Sequence, residues 1–152
     1  MKYDPITNSL FIKNRQNFTN KLDKNSVAFF NSNDIYPISA DSVLPFEQHR
    51  DIFYLSGIDQ EESVLVLYPD SINPDYREII FLKETNEHII HWEGEKLTKS
   101  EASKISGIKS IYWLGEFDKI LNDILKEVDH VYINTNEHYR QKVETQTRED
   151  RF

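Results

Sequence analysis

The chain has 152 residues, 38% hydrophobic and 12% aromatic, which suits one domain, since a domain of this size buries roughly 70% of its unfolded surface. It has no cysteine, which excludes disulfides, zinc fingers and thiol catalysis and suits a reducing cytosol; its 18 basic and 26 acidic residues give a net charge of −8 with no basic patch, so nucleic acid is not an expected partner. Apolar runs reach about five or six residues, far short of the ~20 needed to span a bilayer, and the N-terminus has no apolar signal core, so a soluble cytoplasmic protein away from membranes is expected.

Asp4-Pro5 has the residue types of a helix start: an acceptor for free amides, then a proline suited to the first helical position. Ile6, Leu10, Phe11, Phe18 and Leu22 follow at helical spacing, predicting one apolar face. Val27–Phe30 reads as a short buried strand. From Asn31 to about Asp51 no periodicity is convincing, and Pro37 and Pro45 interrupt the chain. An irregular stretch of ~20 residues in a compact domain usually marks function or an interface, and a short edge strand around Ile35–Ile38 is compatible with that. Ile52–Gly57 and Ser63–Tyr68 are expected as the next two strands, close enough to pair antiparallel, with Glu78–Leu82 after a turn containing Pro69, Asp70, Asn73 and Pro74. His88–His91 is a further candidate strand.

Thr98-Lys99-Ser100-Glu101 is a capping box, with Leu97 and Ala102 placed as a hydrophobic staple, and that helix is expected to end at Gly107. Ile111–Leu114 reads as a strand. Beyond Gly115, Phe117, Ile120, Leu121, Ile124, Leu125 and Val128 form one apolar stripe, the clearest helix in the chain. His130–Asn134 is the last expected strand. Residues 1–135 are therefore expected to form a single α/β domain, and the polar residues 136–152 a solvated tail or the start of a connector. The expected fold is a three-layer α/β sandwich with a mixed five- to six-stranded sheet, helices on both faces and no internal repeat.

Chemistry is sparse. His88 and His91, with Glu93 and Glu95 nearby, invite a metal search, but three residues apart in a strand they point to opposite faces, so no metal site is expected. The four glycines, at 57, 94, 107 and 115, are too far apart for a phosphate cradle, and neither HExxH nor GxSxG occurs. No catalytic residue is expected. Two positions stand out: Asp41, flanked by small residues in the long loop, is either turn-forming or functional, and Trp92, beside Gly94, either caps the core edge or projects as a binding platform. Trp113, inside an apolar run, reads as core.

One block is more specific. Asp41, Phe46, Gln48 and Asp51 lead into Phe53-Tyr54-Leu55-Ser56-Gly57, with the apolar Val64–Leu67 behind. It resembles the N-terminal domain of aminopeptidase P, in the creatinase/prolidase "pita-bread" group. Asn14-Arg15 with Phe18, Leu22 and Ser26-Val27-Ala28, the Trp92-x-Gly94 turn, the capped helix and the Val131-Tyr132 strand are similar to that family too. Glu47 departs from it, standing where the family usually has arginine, as does Ile58–Glu62, where Phe-x-Glu-Pro is common.

The resemblance implies a ribonuclease-H-like mixed sheet and no catalysis by this domain. It implies a metal-dependent Xaa-Pro aminopeptidase as the parent, with two Mn²⁺ or similar divalent ions held by two Asp, one His and two Glu in a C-terminal catalytic domain outside these residues. Expected partners are that domain, neighbouring subunits of a homo-oligomer and, in the whole enzyme, proline-containing peptides. Asp41 and Trp92 become candidate lining residues of the substrate cleft. A stand-alone peptide- or protein-binding module of the same fold, or the N-domain of a prolidase or creatinase relative, are the alternatives.

Overall fold

A five-stranded mixed sheet lies at the centre of the computed structural model, which describes residues 6–39, 42–85 and 96–134. In chain order the elements are α1 (Asn8–Thr19), β1 (Ser26–Asn31), β2 (Pro37–Ser39), β3 (Ser42–Val43), α2 (Arg50–Ser56), β4 (Ser63–Leu67), β5 (Glu78–Leu82), α3 (Lys99–Ser106), β6 (Ser110–Trp113), α4 (Phe117–Leu125) and β7 (His130–Ile133). The sheet order is β6-β5-β4-β1-β7. β4 runs antiparallel to β1 and β5, while β6 and β7 lie parallel to their neighbours at the two edges. The long β5-to-β6 and β6-to-β7 connections permit those parallel pairs, which no tight turn can make.

Helices cover both faces, giving the three layers expected. On one face Ala28, Phe30, Leu65, Leu67, Ile80 and Leu82 pack with Ile52 and Leu55 of α2 and Ala102 of α3. On the other, Val27, Phe29, Val66, Ile79 and Phe81 pack with Ile120 and Ile124 of α4. Burial on both faces explains why the strands are continuous apolar runs rather than alternating ones. Trp113 packs against the first of these clusters, as its apolar neighbours predict.

Three local expectations are corrected. Ile52–Gly57 is a helix and not a strand: Ile52, Leu55 and Ser56 are buried at helical spacing, and Gly57 ends the turn at φ 72°. The antiparallel partners of β4 are consequently β1 and β5, not residues 52–57. The first helix is capped by Thr7, whose hydroxyl accepts from Ser9 N; Asp4 and Pro5 lie outside the described residues. Of its expected apolar face, Phe11 is buried and Phe18 and Leu22 pack on the core, but Ile6 and Leu10 are exposed. The capping box at Thr98 and the stop at Gly107 (φ 76°) are as expected.

α2 and α3 end in the same device. In Leu55-Ser56-Gly57-Ile58 and Ile105-Ser106-Gly107-Ile108 the serine hydroxyl donates to the carbonyl four residues back, at 2.6 and 2.7 Å, and accepts the amide of the following isoleucine at 3.2 and 3.1 Å. The glycine takes the left-handed conformation that an L side chain resists. At Gly57 a Cβ would also run into the Phe11 ring. Arg15 of α1, with no solvent exposure, joins the two ends. Its Nη1 donates to Leu55 O at 2.9 Å and Ser106 O at 3.0 Å, and Nη2 lies 3.1 Å from Glu78 Oε2, close enough for an ion pair though off line for a hydrogen bond. Asn14 Nδ2 donates to Tyr54 O at 2.8 Å. A cation against two helix C-termini is also favoured by their dipoles.

Candidate functional site

The segment between β1 and α2 is a projecting hairpin on a fixed base. β2 and β3 pair antiparallel, with Pro37 opposite Val43 and Ser39 opposite Ser42, and Leu44 N donates to Tyr36 O at 2.9 Å. The edge strand anticipated near Ile35–Ile38 is thus present, paired within the loop rather than to the main sheet. Ile35, Tyr36, Ile38, Val43 and Leu44 are all exposed. Five large apolar side chains in one short loop exceed the scattered singles normal on a surface.

Polar side chains hold the base. Ser32 N donates to Ser63 O at 2.9 Å, and Ser63 N returns a bond to Ser32 Oγ at 3.1 Å. Asn33 Nδ2 donates to Glu47 O at 2.9 Å. Gln48 Nε2 donates to the carbonyls of Ile58 (3.1 Å) and Gln60 (2.8 Å), while its Oε1 accepts from His49 N at 2.8 Å. His49 then caps α2, its Nδ1 accepting from Asp51 N at 3.3 Å. Asn134, just after β7, accepts from Asn31 N at 3.0 Å and sits 3.4 Å from His49 Nδ1. Each such bond contributes about 1 kcal/mol net, and together they fix where the hairpin leaves the sheet.

The two cleft candidates fall beside described structure but not within it. Asp41, between β2 and β3 in sequence, lies outside the described residues, and so does Trp92 with His88, His91, Glu93 and Glu95. The chain re-enters at Lys96, whose ammonium pairs with the nearly buried Glu61, and Gln60 Oε1 accepts from Leu97 N at 2.7 Å. Gln60 and Glu61 therefore tie the exit of the Trp92 segment to the same connection that Gln48 grips. Glu47, the charge reversed relative to the resembled family, is exposed and engages Asn33 through its backbone. Among the described residues no group of three or more His, Cys, Asp or Glu is arranged to hold a metal. No helix among them is long and apolar enough to cross a membrane.

Gln48 belongs to the block that sequence reading singled out; Ser32, Asn33, Gln60 and Asn134 do not. Their only sequence signal is a polar residue next to a buried strand or turn, and many surface positions share it.

Residues 11–132 match the family described as "Aminopeptidase P, N-terminal domain". The chain belongs to that family. This aminopeptidase P N-terminal domain is 28% identical over 103 residues to human Xaa-Pro aminopeptidase 3, covering 66% of this chain and 20% of the human protein. Against Escherichia coli Xaa-Pro aminopeptidase it is 25% identical over 127 residues, covering 84% of this chain and 29% of that one. Among solved structures, a Bacillus anthracis protein described as an aminopeptidase P superposes with a TM-score of 0.78 at 26% identity, covering 96% of this chain and 34% of that one. Pseudomonas aeruginosa aminopeptidase PepP gives a TM-score of 0.80 at 21% identity, over 92% of this chain and 31% of that one, a likeness of fold. The chain thus spans about a third or less of the length of these relatives. The mixed sheet flanked by helices is that of aminopeptidase P N-terminal domains.

Proposed function

We propose that this domain serves as the non-catalytic N-terminal part of a metal-dependent Xaa-Pro aminopeptidase, which removes an N-terminal residue preceding proline. The observation that carries the proposal is the family match across residues 11–132, and the fixed-base hairpin supports it. In the assembled enzyme the hairpin with Asp41 and the segment with Trp92 wall the substrate entrance, and the domain supports subunit association. Two Mn²⁺ or similar ions would belong to the catalytic domain that follows. We place the enzyme in the cytoplasm; a relative from Arabidopsis thaliana, intermediate cleaving peptidase 55, is described as mitochondrial.

The purified 152-residue chain, given Mn²⁺ and a Xaa-Pro dipeptide, is expected to release no proline above a metal-only blank; turnover would overturn the non-catalytic assignment. In the full-length protein Trp92→Ala is expected to lower kcat/KM by roughly 10-fold or more with the melting temperature unchanged, as for a residue that positions substrate. An unchanged kcat/KM with a lowered melting temperature would make Trp92 a core residue. A parent reading frame without metal ligands downstream would favour a stand-alone peptide- or protein-binding module instead.

A further inference from the structure

His49 stands where the hairpin root, α2 and the exit of β7 meet, and its ring nitrogen Nδ1 is a shared acceptor. The backbone N–H of Asp51, in the first turn of α2, donates to it at 3.3 Å. The side-chain amide of Asn134, just after β7, lies 3.4 Å from it. That amide is held in one orientation. Its Oδ1 accepts from Asn31 N at 3.0 Å and its Nδ2 donates to Asn31 O at 3.3 Å, so Nδ2 and not Oδ1 faces the imidazole. Two N–H donors on one ring nitrogen require a lone pair there, which fixes a neutral ring with its proton on Nε2.

The same geometry holds a second partner in reserve. Asp51 Oδ2 is 3.8 Å from Nδ1, too far for a hydrogen bond but close enough to draw a charged ring. A proton taken up from water at Nδ1 turns the acceptor into a donor. It then opposes the N–H groups of Asp51 and Asn134 and favours the Asp51 carboxylate. Imidazoles make this change between about pH 5 and 8, and the His49 side chain is 22% exposed, so protons reach it. Among the described residues the carboxylate within 4 Å of the ring is that of Asp51. The groups that meet it from β7 and β1, Asn134 and Asn31, are uncharged, and the charged neighbours in the adjoining chain, Asp34, Glu47 and Arg50, are exposed.

We propose that His49 is an acid-released latch: neutral, it locks the hairpin root and the start of α2 to the ends of β1 and β7; protonated, it turns to Asp51 and lets Asn134 go. Gln48 keeps its bonds to Ile58 and Gln60 throughout, so the root stays fastened to the turn before β4 and loses only its hold on the β1–β7 corner. Neither His49 nor Asn134 belongs to a core cluster, so release leaves the sheet folded. Every group involved lies within residues 31–134, and the latch does not rest on the aminopeptidase reading.

Amide hydrogen exchange of the 152-residue chain at about pH 8 and about pH 5, corrected for the intrinsic pH dependence of exchange, tests this. The Asp51 and Asn31 amides are expected to exchange at least ~5-fold faster at the lower pH, while the amides of β4 keep their rates. His49→Asn retains a cap acceptor that takes up no proton, and is expected to hold both rates constant across the range. Asn134→Ala is expected to leave Asn31 exchanging at the fast rate at both pH values. Rates in the unaltered chain that ignore pH would overturn the proposal. So would an undiminished acid response in His49→Asn, which would assign the effect to the Asp51 carboxylate, or a persisting response of Asn31 in Asn134→Ala.

Discussion

A guanidinium without solvent contact needs its charge compensated, and Arg15 has its charge and its Nη1 donors met by three distant parts of the chain, while Nε and Nη2 make no hydrogen bond. Leu55 O and Ser106 O each terminate a helix, and the Glu78 carboxylate supplies the counter-charge at the start of β5. Removing the side chain leaves two buried carbonyls unpaired and opens a hole between α1, α2 and α3. Arg15→Ala is accordingly expected to cost about 3–5 kcal/mol in urea unfolding. Arg15→Lys should recover less than half, because a point ammonium cannot span both carbonyls and the carboxylate. A loss below about 1 kcal/mol would show that the helix ends find water instead. Glu47 is the opposite case. Its side chain is exposed, so the fold tolerates a reversed charge there.

At the scale of the element, chemistry at the ends decided more than propensity in the middle. Phe53-Tyr54-Leu55 is strand-like by residue type, and six residues are too few to separate a period of two from one of 3.6. The ends carried the answer: His49 caps the start, and Ser-Gly-Ile closes α2 as it closes α3. Gly107 was legible as a stop because a capping box announced its helix. Gly57 was not, because an imidazole cap is an uncommon signal. The α3 box also makes a pH prediction. Glu101 Oε2 accepts from Thr98 N at 2.9 Å and from its hydroxyl at 2.7 Å. The backbone bond foremost, then the hydroxyl, holds the Glu101 carboxyl below its usual 4.5. The stabilisation is fully present above 4.5 and fades as pH falls through the lower folded value. Thr98→Ala is expected to cost about 1 kcal/mol near neutrality and to move the Glu101 titration, followed by NMR, part-way back up, since the backbone bond survives. A Glu101 titration unmoved by the substitution would remove the hydroxyl from the account.

Across the whole molecule, the sheet and its two helical layers hold the stability, and the hairpin is an appendage with a fixed root. Ile38→Ser with Val43→Ser is expected to change stability by less than about 0.5 kcal/mol, because both side chains are exposed. Gln48→Ala, which unfastens the root from Ile58 and Gln60, is expected to cost about 1–3 kcal/mol. Thermal melts of the two variants should separate cleanly; a larger loss in the hairpin double variant would make its apolar residues part of the core. Five strands, the α3 and α4 helices, the layered class and the family were all readable from residue order, because apolar runs, caps and the Phe53–Gly57 block are local patterns. The link from Arg15 to residues 55, 78 and 106 and the grip of Gln48 on the turn before β4 were decided by tertiary structure alone. Each depends on which distant backbone groups meet once the sheet has formed, and a lone polar or apolar residue in a sequence does not name its partner.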